Sequence, residues 1–321
     1  MSKRTAFSAA CAGAVLLAAA GATAQTYSIG TNPQGSLFYA SGTALARVMV
    51  EQTGLQFRVQ PYAGSSTYLP LIDAGKLAFG MANVAEASFA YAGEHLFKTP
   101  LRNVRQVAET FGNVSGYAVR KDSSIRTIAD LRGQRVPVEY TSGRIFHFVA
   151  SAALATADMT DRDLEGVPSP NFVSAAKLFM AGRVDAAYLP VSAGITKQAN
   201  ATIRGGIRFL KMGCEAADEA RIKTIVPPAF IGKLSPGKTQ TGIVEDPTCV
   251  IDVPFTLVAG KHVPDEIVRK VVVTMVRNKP ALAKAMAAFN RMDTKNLGRK
   301  HPNPHHPGAI KAYKELGLWK D

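Results

Sequence analysis

Apolar positions along the chain recur at two periods, and the places where one period gives way to the other predict the fold. An apolar strand from Tyr27 to Gly30 leads into the loop Gln34-Gly35-Ser36, after which Leu37, Ala40, Ala44, Leu45 and Val48 fall at i, i+3, i+7, i+8 and i+11. That spacing puts all five on one face of a helix. A second strand, Gln56 to Gln60, runs into Ala63-Gly64-Ser65-Ser66 and a helix carrying Leu69, Leu71 and Ile72. Ala74-Gly75-Lys76-Leu77-Ala78-Phe79-Gly80 then turns the chain into a third strand, which completes a βαβαβ order.

The same events recur farther along. Arg135 to Glu139 reads as a strand, Thr141-Ser142-Gly143 as its loop, and Phe146, Val149, Ala150 and Ala153 as a helix face. A helix over Ser174 to Met180 then closes in Ala181-Gly182-Arg183-Val184-Asp185-Ala186. Gly35 and Gly143 stand 108 residues apart, and Gly75 and Gly182 stand 107 apart. Two landmarks at nearly one offset predict an α/β chain of two similarly wound units, each a doubly wound parallel sheet covered on both faces. Ligands of such sheets sit beyond the carboxyl ends of the strands, where each unit here places a Gly/Ser loop.

Val104 to Arg120 reads as the strand crossing from the first unit to the second, and Thr248 to Ala259 as the strand returning. After the return, Pro264-Asp265 opens a helix with Ile267, Val268, Val271, Val272, Met275 and Val276 on one face, and Pro280 is expected to interrupt it. Residues 25–119 with 248–321 are thus expected to form one lobe and residues 120–247 the other, with two hinge strands between them.

The start of the chain changes this picture only by shortening it. Lys3 and Arg4 precede an apolar run from Ala6 to Ala20 that ends in Ala22-Thr23-Ala24. This is the pattern of an export signal over residues 1–24, cleaved after Ala24, and it is too short for a membrane span. Cys11 raises a lipoprotein alternative, against which apolar sequence continues past it and no Leu lies three residues before it. The expected product begins at Gln25 in the periplasm, as a monomer.

Net charge is +14, or +12 without Lys3 and Arg4, which suits anionic partners. The basic residues are scattered, as at Lys121, Arg132, Lys197, Arg204 and Lys300, without a dense run or interleaved aromatics. Nucleic acid is therefore not expected, and a solvated basic surface is the ordinary alternative to an acidic solute. Cys214 and Cys249 remain after cleavage. A disulfide and two separately buried thiols both fit, and the bridge is the expectation to be tested.

Catalytic patterns are missing: no Gly-x-Ser-x-Gly and no phosphate loop ending in Gly-Lys-Ser/Thr occurs, and no cofactor is expected. His301-Pro302-Asn303-Pro304-His305-His306 suggests metal, but adjacent histidines diverge and two prolines stiffen the segment, so a rigid polar loop is the expectation. The Gly/Ser loops carry more. Glycine admits close backbone approach, hydroxyls donate, and helix N-termini favour anions, although such loops are also common tight turns. Arg144 stands in a helix's first turn, where a bound carboxylate would offset its unfavourable position, or where it points into water. The candidate ligand-binding residues are Gly35, Ser36, Tyr39, Gly64, Ser65, Ser66, Asn83, Thr141, Ser142, Gly143, Arg144 and Tyr188. An acidic amino acid or a dicarboxylic or 2-oxo acid is the expected ligand.

The ending His306-Pro307-Gly308-Ala309-Ile310-Lys311-Ala312-Tyr313-Lys314-Glu315-Leu316-Gly317 resembles the close of the TAXI family, solute receptors of tripartite ATP-independent periplasmic (TRAP) transporters. Gly35-Ser36-Leu37-Phe38-Tyr39, Gly64-Ser65-Ser66 and Ala181-Gly182-Arg183-Val184-Asp185-Ala186 are similar to family segments too. The chain departs from that pattern at Asn32-Pro33, Ala78, Asn83-Val84-Ala85 and Arg144, all near the expected cleft. The resemblance implies a two-lobed periplasmic binding protein fold, type II-like, that captures a small anionic metabolite and delivers it to a TRAP membrane subunit. A receptor for an ATP-driven importer, a sensory protein docking a histidine kinase and an enzyme on the same fold are the alternatives.

Overall fold

The structure, a computed structural model, describes residues 25 to 319 apart from residues 96 and 239. The signal expected over residues 1–24, its cleavage after Ala24 and the Cys11 alternative lie outside the described residues. The first unit runs β1 (Thr26–Thr31), α1 (Leu37–Thr53), β2 (Gln56–Pro61), α2 (Ser65–Asp73), β3 (Phe79–Asn83) and α3 (Val84–Ala92). The long strand β4 (Val104–Arg120) leads to β5 (Arg135–Glu139), α4 (Ile145–Ala155), β6 (Glu165–Ser169), α5 (Phe172–Met180), β7 (Ala186–Pro190) and α6 (Gly194–Thr202). Then come β8 (Ile207–Phe209), α7 (Ala216–Ile225), β9 (Phe230–Leu234) and the returning strand β10 (Thr248–Gly260). Helices α8 (Asp265–Arg277), α9 (Lys279–Ala285) and α10 (Pro307–Glu315) finish the chain.

The internal echo is structural. Helices α2 and α5 are both nine residues long, and Gly75 and Gly182 close them at φ +74° and +71°, a left-handed turn that glycine makes without strain. The mixed α/β sheet has the order β2-β1-β3-β10-β4-β7, with β8 beside β4 and β9 beside β10. Strands β1, β2 and β3 pair in parallel, whereas β10 runs antiparallel to both β3 and β4.

In one respect the sheets differ from the expectation of two doubly wound layers. The parallel pair β5–β6 stands apart, while β7 joins β4. Asp185 links the two pieces: its N–H donates to the Arg135 carbonyl at 2.8 Å, and its carboxylate pairs with the Arg135 guanidinium at 2.6 Å. Pro137 in β5 and Pro168 in β6 lack the N–H of a ladder donor, which suits a short peripheral pair rather than a sheet centre.

Strands β4 and β10 form one long ladder, and it is weakest at one point. Gly112 faces Pro254, which has no N–H, and the register shifts before Thr256. Strand β9 flanks β10 as far as Asp252 and β3 flanks it from Phe255, so Val253-Pro254 lacks a neighbour on that side. A hinge placed there breaks few hydrogen bonds.

Helix α8 buries Val268, Val271, Val272 and Met275, the face its spacing predicts. It ends at Arg277, before Pro280, which sits in the first turn of α9 where a missing N–H breaks no helical bond. The three C-terminal histidines serve packing and capping. His301 Nε2 lies 2.8 Å from Glu109, the His305 ring is edge-on to Tyr313 and Trp319, and His306 Nδ1 accepts from the Gly308 N–H at the start of α10. No described helix is long and apolar enough to cross a membrane.

Cys214 and Cys249 form a disulfide, with Cα atoms 5.7 Å apart. The bridge closes a loop of 35 residues around α7 and β9, so its removal is expected to cost about 3–4 kcal/mol through chain entropy. Urea unfolding with and without a phosphine reductant measures this. An unchanged midpoint would show that the bridge adds nothing.

Candidate functional site

The N-termini of four helices meet β4 and β10 around one cavity. Helix α1 contributes Ser36, Leu37 and Phe38, α3 contributes its cap Asn83, α4 contributes Ile145, Phe146 and Val149, and α5 contributes Phe172. Asn113, Ser115, Val253 and Phe255 come from β4 and β10, and Asn32 and Pro190 complete the wall. Two phenylalanine pairs face the space. Phe38 lies 4.4 Å from Phe255, ring centre to ring centre, and Phe146 stacks on Phe172 at 4.5 Å and 27°. Among the described residues, no charged side chain lines the cavity.

Local sequence explains the polar part of this wall. The Asn83 carboxamide oxygen accepts from the Glu86 N–H at 2.8 Å and caps α3, which leaves its NH2 as the group it offers elsewhere. The Ser36 hydroxyl accepts from the Tyr39 N–H at 3.0 Å and caps α1, so its own proton is available for donation. The first-turn N–H groups of each helix have no partner within the helix, and their positive ends converge here.

Residues 25–119 and 120–247 touch at several points. The Ile195 N–H donates to the Gly35 carbonyl at 3.2 Å, and the Asn171 carboxamide donates to the Ala63 carbonyl at 3.1 Å. Gly64 abuts Ser142 and Gly143 so closely that a Cβ would fall 1.8 Å from the Ser142 carbonyl oxygen. At the rim, Phe148 of α4 packs 5.9 Å from Phe89 and 5.2 Å from His95. The cavity that remains is about 20 Å³, room for about one water.

Of the twelve candidate residues, the structure brings Ser36 and Asn83 to the cavity wall. Gly35, Gly64, Ser142 and Gly143 instead make the contacts between units, and the N–H groups of Ser142 and Gly143 are already bonded to the Pro170 carbonyl. Thr141 and Arg144 are exposed, because the face of α4 turned to the cavity is that of Ile145, Phe146 and Val149. Tyr39 is half-buried, and its hydroxyl accepts from Gln34. Tyr188 is fully buried one layer behind the wall, its hydroxyl 3.0 Å from the Ser115 hydroxyl and its ring edge-on to Tyr117.

Ser65 and Ser66 have a different partner from the one their sequence suggests. Both hydroxyls donate to the carboxylate of Glu86, which is fully buried in the first turn of α3. The cradle at the start of α2 is thus filled by the chain's own carboxyl group. Burial pushes the Glu86 carboxyl up to about 7, against the opposing pull of the two serine bonds.

Asn32, Asn113 and the four phenylalanines are wall residues that pattern reading does not single out, since an apolar first-turn residue looks the same whether it faces core or cleft. The overall shape is that of known binding proteins. A periplasmic transporter is 14% identical with a TM-score of 0.57, covering 91% of this chain and 92% of its own. The periplasmic aliphatic sulphonate binding protein SsuA from Escherichia coli is 16% identical with a TM-score of 0.50, covering 92% and 94%. A histidine kinase sensor domain with similarity to periplasmic binding proteins is 13% identical with a TM-score of 0.51, covering 84% and 97%. The family model that matches covers residues 29–317, from within β1 to just past α10: this chain belongs to the NMT1-like family.

Proposed function

We propose that this protein is an exported periplasmic solute receptor that closes its two units over a small carboxylate with an apolar body and hands it to a membrane transporter. The observation that carries this is the cavity itself, enclosed between units joined by two strands, walled by two phenylalanine pairs and met by four helix N-termini. Converging helix ends favour one negative charge. With Arg144 outside and no cation in the wall, a second negative charge would be buried unpaired. A monocarboxylate therefore fits better than the acidic amino acid or dicarboxylic acid that the sequence suggests. A TRAP-type membrane subunit is the proposed recipient, on the strength of the ending His306 to Gly317.

A thermal-shift screen followed by calorimetry tests this. Aromatic or branched monocarboxylates are expected to bind, and Phe172→Ala to weaken them about tenfold to hundredfold, the effect of losing an aromatic anchor. If neutral sugars or dicarboxylates bind and monocarboxylates do not, the reading is wrong.

A further inference from the structure

Two wall residues make a demand that the closed protein does not meet. The carboxamide oxygens of Asn32, in the β1–α1 loop, and Asn113, on the hinge strand β4, are buried without a hydrogen-bond partner. Their residues are only 4% and 8% exposed, so water reaches neither freely. Buried acceptors of this kind are rare in native structures, because each forfeits the bond it made to water. Both line the same cavity, one at the mouth of the first unit and one on the strand that joins the units.

We propose that Asn32 and Asn113 are specificity residues that accept hydrogen bonds from a hydroxyl group, so that the ligand class is a hydroxylated monocarboxylate. This rests on the receptor reading above and narrows it. A hydroxyl fits where an ammonium does not. The wall holds no carboxylate to pair with a buried cation, and the positive ends of α1, α3, α4 and α5 oppose one. The roles within the cavity then divide. Ser36 and the Asn83 NH2, with first-turn N–H groups, donate to the carboxylate, while Asn32 and Asn113 accept from the hydroxyl at another point of the same small molecule.

Calorimetry on matched pairs tests the division: phenylacetate against mandelate and 4-hydroxyphenylacetate, benzoate against 3- and 4-hydroxybenzoate, with phenylalanine as the ammonium probe. At least one hydroxylated acid is expected to bind tenfold or more tightly than its parent. Asn113→Leu and Asn32→Leu should each shrink that preference. Both leucine variants should unfold close to the native temperature without ligand, which shows that a changed preference is not a folding defect. Equal binding of parent and hydroxylated acids overturns the inference but leaves the receptor reading intact. An undiminished preference in both leucine variants also overturns it, because the hydroxyl would then be held by other groups. If phenylalanine binds most tightly the inference falls in favour of an amine. If no acid binds at all, the receptor reading falls and takes this with it.

Discussion

Replacing Gly64 with alanine is expected to weaken ligand binding about a hundredfold or more while leaving the unliganded protein as stable as before. The two effects separate because of where the new methyl group goes. Gly64 has φ −179° and ψ 164°, extended backbone that any residue adopts, so alanine introduces no local strain. Its Cβ would instead lie 1.8 Å from the carbonyl oxygen and 2.5 Å from the carbonyl carbon of Ser142, backbone atoms of the opposite unit. That loop has little freedom to retreat, because the Ser142 and Gly143 N–H groups are fixed on Pro170, and Asn171 is bonded to Ala63 beside Gly64. The penalty therefore falls on the closed state alone. If closure becomes less favourable by about 3 kcal/mol, apparent affinity falls by roughly two orders of magnitude, since ligand binds the fraction of molecules able to close. Calorimetry and thermal unfolding of the same variant measure the two quantities, and small-angle scattering should show a larger radius. An affinity within twofold of native would mean that the contact of Gly64 with Ser142 does not form on binding.

The glycine illustrates what sequence can and cannot disclose. Residues 64 to 66 read as a loop that approaches a ligand, but the structure places residues 142 and 143 against Gly64, and Glu86 against Ser65 and Ser66. Twenty residues separate Ser66 from Glu86, and only the β3–α3 connection brings them together. The long strands were legible because alternation and turn signals bound them, so β4 and β5 match their expected ends. Helix α3 was not, because Val84, Ala85, Ala87, Phe89 and Ala90 are all buried and no polar face marks its period. Asn83 and Ser36 were legible as wall residues for a chemical reason, since capping a helix puts a polar side chain where the cleft lies. Phe146 and Phe172 satisfy the same apolar pattern as a core residue, and only the position of their helix ends makes them cavity residues.

Glu86 also sets the second large effect, a pH dependence that a single substitution should abolish. Its carboxyl is fully buried among Ser65, Ser66, Tyr68 and the Asn83 cap, with no cation facing it. Two helix N-termini and two hydroxyls favour the charged form, yet loss of hydration outweighs them and raises the carboxyl from 4.5 to about 7. Because the folded state holds this proton more tightly than the unfolded chain does, the stability it contributes is complete below pH 4.5 and is lost as pH rises to about 7. A gap of that size corresponds to about 3 kcal/mol, present at pH 4 and absent at pH 8. Glu86→Gln keeps the shape, offers one oxygen to accept and an NH2 that a serine oxygen takes up, and cannot ionise. Relative to native protein the variant should therefore gain about 3 kcal/mol in stability between pH 4 and pH 8, with the change centred between 4.5 and 7. Asp252, raised to about 6 by burial, titrates in both proteins and cancels in the comparison. Urea unfolding of the pair at pH 4, 6 and 8 gives the difference directly. A constant offset between the two proteins across that range would show that Glu86 keeps an ordinary carboxylate's affinity for its proton, and that the serine cradle holds a permanent charge.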